Sequence, residues 1–278
     1  MIALFIIFLR EGVEASMIVA ILLAYLDQAG QRRHFRDVYV GVGIALGAAA
    51  AAGVVGYLSL QRYAGSRVQT YVETATFVVA IVALTVMTFW MQRHARSMRA
   101  ELARRSDAAL SSRQRLALSA LAFQAVGREG LETTVFTLAI LFSNVRQGAT
   151  PATGGALWGA LAGLACSLLI AVALYRWGRR LNLARFFRGL GALLLLVGAG
   201  LVADTVENLQ QLGWWPFGTH VLWNSSNWVS ESSNLGDVLH SILGYADQPT
   251  LSQLVLWALY LVGALVAFRL VSRPRPTR

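Results

Sequence analysis

The chain has 278 residues, 56% hydrophobic and only 14% charged, with a formal net charge of +10 and a mean hydropathy of +0.55. A soluble domain carries about 25% charged residues, so this composition excludes the ordinary soluble class. All 24 basic residues are arginines, gathered mostly in short stretches between apolar blocks, which excludes a nucleic-acid-binding face and is the usual signature of membrane topology.

Apolar blocks fall at 2–26, 38–60, 70–92, 115–143, 154–176, 187–210 and 251–271. Each is long enough to cross a hydrocarbon core of roughly 30 Å, so the chain is expected to be an all-α membrane protein of seven transmembrane helices. The first block begins without a basic n-region and carries Arg10, Glu11 and Glu14. It departs from the plan of a cleavable signal peptide and reads as a retained first helix. The lone cysteine, Cys166, excludes an intramolecular disulfide and a Cys-rich metal site, and reads as a packing residue.

Arginines alternate in abundance along the connections. Arg32, Arg33 and Arg36 follow the first block, and a run from Arg93 to Arg115 follows the third. The run Arg176–Arg188 follows the fifth, and Arg269–Arg278 forms the tail. The opposite connections hold only Arg62, Arg67 and Arg146. The positive-inside rule predicts an N-terminus outside and a C-terminus in the cytoplasm. The expected organisation is a first repeat at 1–92, a basic cytoplasmic loop at 93–114 and a second repeat at 115–210. An extracytoplasmic segment at 211–250 and a last helix with its tail at 251–278 follow. Segment 211–250 lacks Lys and Arg but has Trp214, Trp215, Trp223 and Trp228. It is expected to be an interfacial aromatic belt with an amphipathic stretch; a docking surface for an extracytoplasmic partner is the alternative.

A five-residue motif occurs twice, as Arg10-Glu11-Gly12-Val13-Glu14 and Arg128-Glu129-Gly130-Leu131-Glu132. The copies stand 118 residues apart, with three apolar blocks per unit. An odd number of spans turns the second copy over, so a 3+3 inverted repeat plus one extra C-terminal helix is predicted, a common build for transporters. Glu11 lies about 15 Å along its helix and Glu129 about 20 Å along its own, so both motifs reach the bilayer midplane from opposite faces.

Glutamates at i and i+3 share one helical face, and each arginine can pair with the acid four residues on. Gly12 and Gly130 allow another helix or an ion close to the backbone. Each ionised group near the bilayer centre costs at least about 2.5–3.5 kcal/mol, so such residues mark a pathway or a site. Glu11, Glu14, Glu129 and Glu132 with Arg10 and Arg128 carry a formal −2 and suit a hard di- or trivalent cation. Iron, manganese, magnesium and calcium all accept such ligands, and a structural role joining helices is the plain alternative. Glu73, Asp204 and Glu207 fall in the outer half of their helices and could form an acidic approach, or be solvated helix-end residues. His34 and His94 read as solvated loop residues. His220 and His240 are weak metal candidates, and Glu231, Asp237 and Asp247 read as solvated charge. There is no HExxH, no GxSxG and no protease-like Asp pair, so an enzyme is not expected.

The paired REGxE motif, the start LFIIFLREGVEASMIVAILLAYL, the basic stretch after FWMQR and the late LGDVLHSILGY resemble the oxidase-dependent iron transporter family. Its members include the fungal high-affinity iron permeases and the bacterial EfeU-type permeases, and the resemblance covers nearly the whole chain. It implies an iron permease in the cell inner or plasma membrane, with iron (Fe2+ or Fe3+) as transported substrate and no bound organic cofactor. It implies iron-binding roles for Glu11, Glu14, Glu129 and Glu132, and a match of Glu73 to an acidic position in the third helix. Asp204 and Glu207 match more loosely. The family also implies partners, either a ferroxidase or a periplasmic iron-binding protein with a haem peroxidase. The fused extracytoplasmic domain of some relatives is not seen in this sequence. A transporter or proton-coupled exchanger for manganese, magnesium or zinc is the nearest rival, and a seven-helix receptor a more distant one.

Overall fold

The structure is a computed structural model and describes residues 2–62, 66–94, 116–146, 153–177, 183–230 and 233–272, with Arg104, Ser106 and Ala108. The rest of the arginine-rich stretch at 95–115 and Glu231 lie outside the described residues, as do the side chains of His94 and Asp237. Most of the described residues are helical: α1 (Ile2–Gln28), α2 (Phe35–Arg62), α3 (Arg67–His94), α4 (Ala117–Arg146), α5 (Thr153–Trp177), α6 (Leu183–Gln211), a short α7 (Asn234–Leu243) and α8 (Leu251–Ser272). Four are long and apolar enough by composition to cross a membrane, within Arg32–Ser59, Arg67–Gln92, Phe187–Gln211 and Leu251–Val271, and a shorter apolar stretch is Leu157–Val172. α1 and α4 have the length, but each carries an arginine and two glutamates in its middle. Those charges separate them in composition from the other long helices.

α1, α3, α4 and α6 enclose the main core, where Leu4, Ile7, Phe77, Phe136 and Leu194 are almost completely buried. Burying side chains of this size contributes about 1.5–3 kcal/mol each relative to water; in lipid the gain comes from packing instead. α2, α5 and α8 flank this core and expose apolar rows, including Val54, Val55 and Leu58 on α2 and Leu168, Leu169 and Val172 on α5. On α8 the row continues with Leu259, Val262 and Val266. Such large apolar faces suit contact with lipid tails. Cys166 on α5 is partly buried against the main core, in keeping with a packing role.

The helices recur at a fixed interval. Moving α1, α2 and α3 along the sequence by 118 residues brings each onto α4, α5 and α6 to within about three residues at either end. The close helix pairs respect the same interval, since α1 packs along α5 and α2 along α4. A Cβ on Gly12 would stand 2.8 Å from Ser167 Cβ, and one on Gly130 would stand 2.9 Å from Ala49 Cβ. Ser167 and Ala49 are themselves 118 residues apart. Both motif glycines therefore let a neighbouring helix approach at equivalent places.

At one end of the bundle, Arg32 hydrogen-bonds the Asp27 carboxylate just past the apolar part of α1, and that bond holds Asp27 below its ordinary range. At the other end, 212–250 folds back on itself. Leu222 N donates to Pro249 O at 3.0 Å and Leu251 N to His220 O at 3.0 Å. Within it, α7 begins where Ser233 Oγ accepts from Gly236 N and ends at Gly244, whose φ of 68° is a left-handed cap suited to glycine. Trp214 and Trp228 are exposed, the latter at 91%.

Candidate metal site

Arg10, Glu11 and Glu14 lie on the inward stripe of α1 between Ile7 and Ile18, and all three are buried. Helical spacing alone puts residues 10, 11 and 14 on one face, so the stripe that packs into the core must carry these charges with it. Arg10 Nη1 donates to Glu11 Oε1 at 2.8 Å, and Arg10 Nε lies 3.1 Å from Glu14 Oε1. On α4, Glu129 is buried and Glu132 partly so. Arg128 Nε donates to Glu132 Oε1 at 2.9 Å, while its guanidinium carbon sits 5.0 Å from the centre of the Trp90 ring on α3.

The two helices bring their acids together. One carboxylate oxygen each from Glu11, Glu14 and Glu129 lies within 4.8 Å of the others. Bonds of about 2.0–2.6 Å between a hard cation and oxygen put opposite ligands about 4–5 Å apart, so this triangle has the size of a coordination shell. Glu11 Oε2, Glu14 Oε1, Glu129 Oε2 and Glu132 Oε2 are buried with no hydrogen-bond partner, as is Arg10 Nη2. Buried carboxylate oxygens without donors are costly. A cation bound among them would satisfy them directly. Glu132 stands outside the triangle, held instead by Arg128.

The other acids sit apart from this cluster. Glu73 is buried on α3, accepts from Gln69 Nε2 at 2.6 Å, and lines a cavity of about 310 Å³ with Ser66, Arg67, Thr70, Gln211 and Leu212. Glu207 accepts from Gln253 Nε2 at 3.1 Å and Gln211 Nε2 at 3.4 Å. Asp204 is buried, and Ser143 Oγ donates to its Oδ2 at 2.7 Å.

His240 completes this last group. Its Nε2 lies 2.7 Å from Ser143 Oγ and 3.5 Å from Asp204 Oδ1, and its Nδ1 faces Tyr245 O at 2.8 Å. A carbonyl only accepts, so Nδ1 carries a hydrogen there. Both ring nitrogens are engaged, which leaves His240 as a tie between α7 and the bundle rather than a free metal ligand. His34, expected to be plainly solvated, is part-buried and 2.7 Å from Asp37 Oδ2. Sequence reasoning missed Ser143, Asn208 and Trp90. Asn208 on α6 is fully buried with neither amide atom hydrogen-bonded. A lone Ser, Asn or Trp in an apolar block gives no signal of its own, although the 118-residue interval pairs Trp90 with Asn208.

A model of the iron permease FTR1 family matches residues 1–273. The chain belongs to the iron permease FTR1 family. It is 34% identical over 274 residues to the ferrous iron permease EfeU of Yersinia pestis, covering 97% of this chain and 93% of that one. It is 33% identical to the ferrous iron permeases EfeU of Shigella sonnei and Escherichia coli O157:H7, covering 98% of this chain and 97% of each of those. No solved structure matches. An iron permease is a membrane transporter rather than an enzyme, and iron is its transported substrate. The buried carboxylates of α1 and α4 therefore lie in a protein whose substrate is a metal ion.

Proposed function

We propose that this iron permease imports iron through a site built from the two REGxE motifs, with Glu11, Glu14 and Glu129 as ligands and Glu132 joining them during transport. The observation that carries this is the triangle of carboxylate oxygens within 4.8 Å, formed between two helices that hold equivalent copies of one motif. Fe2+ is the favoured substrate, since the relatives are described as ferrous iron permeases.

In this reading α1–α6 and α8 span the membrane, with the N-terminus outside and the C-terminus in the cytoplasm, in the inner or plasma membrane. α1–α3 and α4–α6 form the inverted repeat. The shared 118-residue interval and the paired contacts of α1 with α5 and α2 with α4 support that symmetry. Iron approaches past Glu73, Asp204 and Glu207, meets the carboxylates near the midplane, and leaves toward the cytoplasm as one repeat moves against the other. The exposed tryptophans of 212–250 suit an interfacial belt. The same face is where a periplasmic iron-binding protein, a haem peroxidase or a ferroxidase would deliver iron.

Uptake of radiolabelled iron by cells carrying Glu14→Ala or Glu132→Ala, with membrane levels checked, tests the site. Loss of uptake in both is expected; wild-type uptake in both overturns the assignment. Competition by manganese, magnesium and zinc tests the choice of metal.

A further inference from the structure

The two motif arginines are equivalent in sequence but not in place. Arg10 is 2% exposed, hydrogen-bonded to Glu11 and ion-paired with Glu14, two of the three clustered carboxylates. It lies within electrostatic reach of all four motif glutamates. Arg128 is nearly half exposed at its side chain, bonds only Glu132, and leans on Trp90. One guanidinium sits among the ligands, and the other is drawn aside.

We propose that Arg10 is a tethered competitor for the transported ion: its guanidinium occupies the carboxylate cluster between turnovers, and an arriving metal displaces it toward Asn208. This rests on the reading of the cluster as the iron site.

Three observations carry the proposal. First, Arg10 Nη1 holds Glu11 Oε1 at 2.8 Å and Arg10 Nε is ion-paired with Glu14 Oε1 at 3.1 Å, so a metal that takes those two oxygens must displace the guanidinium. A doubly charged ion and a guanidinium compete for the same oxygens, and like charges at that range repel strongly in a water-poor interior.

Second, the arrangement is only partly satisfied. Arg10 Nη2 has no hydrogen-bond partner, nor have Glu11 Oε2, Glu129 Oε2 and Glu132 Oε2, and Glu14 Oε1 is held only by its ion pair with Arg10 Nε. A buried ion pair with unmatched donors and acceptors recovers little of its desolvation cost. Arg10 is thus held weakly enough to be replaced, while neutralising charge that would otherwise stand bare in the membrane.

Third, there is a receiving group. The 118-residue interval relates Trp90, which supports Arg128, to Asn208 on α6. Asn208 is completely buried, neither of its amide atoms has a hydrogen-bond partner, and α6 packs on α1. Its side-chain carbonyl is the kind of acceptor a displaced guanidinium requires. The pair Arg128 and Trp90 displays the drawn-aside state in the other repeat.

Equilibrium binding of Fe2+, measured anaerobically on the purified full chain in lipid nanodiscs, tests this. Arg10→Gln removes the competitor while keeping a polar side chain, and is expected to tighten binding at least tenfold. Arg128→Gln is expected not to tighten it. Asn208→Ala is expected to weaken binding when Arg10 is present and to have no effect in the Arg10→Gln background. Equal or weaker binding by Arg10→Gln overturns the proposal, as does an Asn208→Ala variant that binds like wild type. If Arg10→Gln fails to fold, Arg10→Ala with added guanidinium ion takes its place, and guanidinium must then compete with Fe2+. Glu14→Ala in the same assay separates the two levels. If it leaves Fe2+ binding unchanged, the cluster is not the iron site; if it abolishes binding and Arg10→Gln still does not tighten it, only the role of Arg10 fails.

Discussion

Glu14 on α1 and Glu129 on α4 belong to different copies of one motif, yet each puts a carboxylate oxygen within 4.8 Å of the other. The chain between them is more than a hundred residues long, so this meeting is a property of the fold rather than of local sequence. It is also costly. Two acids buried at that distance repel unless a cation lies between or beside them.

Replacing Glu14 or Glu129 by glutamine therefore separates function from stability. Outer partners of metal ligands alone are worth about 10–100-fold in affinity, so loss of a ligand is expected to lower iron uptake at least about tenfold. Thermal unfolding of the purified variants is expected to stay level or rise, because a poorly satisfied buried charge has gone. A fall in unfolding temperature in step with uptake would mark the glutamates as structural.

The motif glycines make a matched pair of predictions. Gly12→Ala forces a Cβ toward Ser167, and Gly130→Ala forces one toward Ala49. Overpacking of this kind costs about 1–3 kcal/mol. Ser167→Gly is expected to restore Gly12→Ala, and Ala49→Gly to restore Gly130→Ala, each pair showing coupling in a double-mutant cycle of unfolding. Additive effects would contradict the close approach.

His240 ties α7 to α4 and α6 through Ser143 and Asp204. His240→Ala leaves buried polar atoms unpaired and is expected to cost about 1–3 kcal/mol. Hydrogen exchange should rise across residues 234–243 and stay unchanged at the REGxE helices. Exchange that rises equally everywhere would mean the tie stabilises the whole bundle instead.

The proposed topology has its own test. In a Cys166→Ser background, Ser66→Cys is expected to react with a membrane-impermeant thiol reagent on intact spheroplasts, and Arg104→Cys only after lysis. The reverse pattern would invert the chain in the membrane.

Much of this arrangement was legible in the residues because the governing forces are one-dimensional. Apolar length and arginine punctuation mark where α1–α6 and α8 begin and end, and a repeated motif with its interval announces α1 and α4 as counterparts. The missing parts depend on three-dimensional packing. Periodicity shows that Glu11, Glu14, Glu129 and Glu132 can face inward, but not that Arg128 pulls Glu132 aside while Arg10 stays among the others. Arg128 finds the flat face of Trp90 beside it, whereas Asn208, the residue 118 positions on from Trp90, has no ring to offer. The Ser143, Asp204 and His240 tie joins three distant stretches, and no short-range pattern could have announced it.

The most direct test of the iron site is a structure of the chain soaked with Fe2+ under anaerobic conditions, with anomalous scattering recorded at the iron edge. A peak between α1 and α4, within bonding distance of Glu11, Glu14 and Glu129, is the predicted result. A peak only near Glu73, or near Asp204 and Glu207, would contradict it and move the site to the outer half of the bundle.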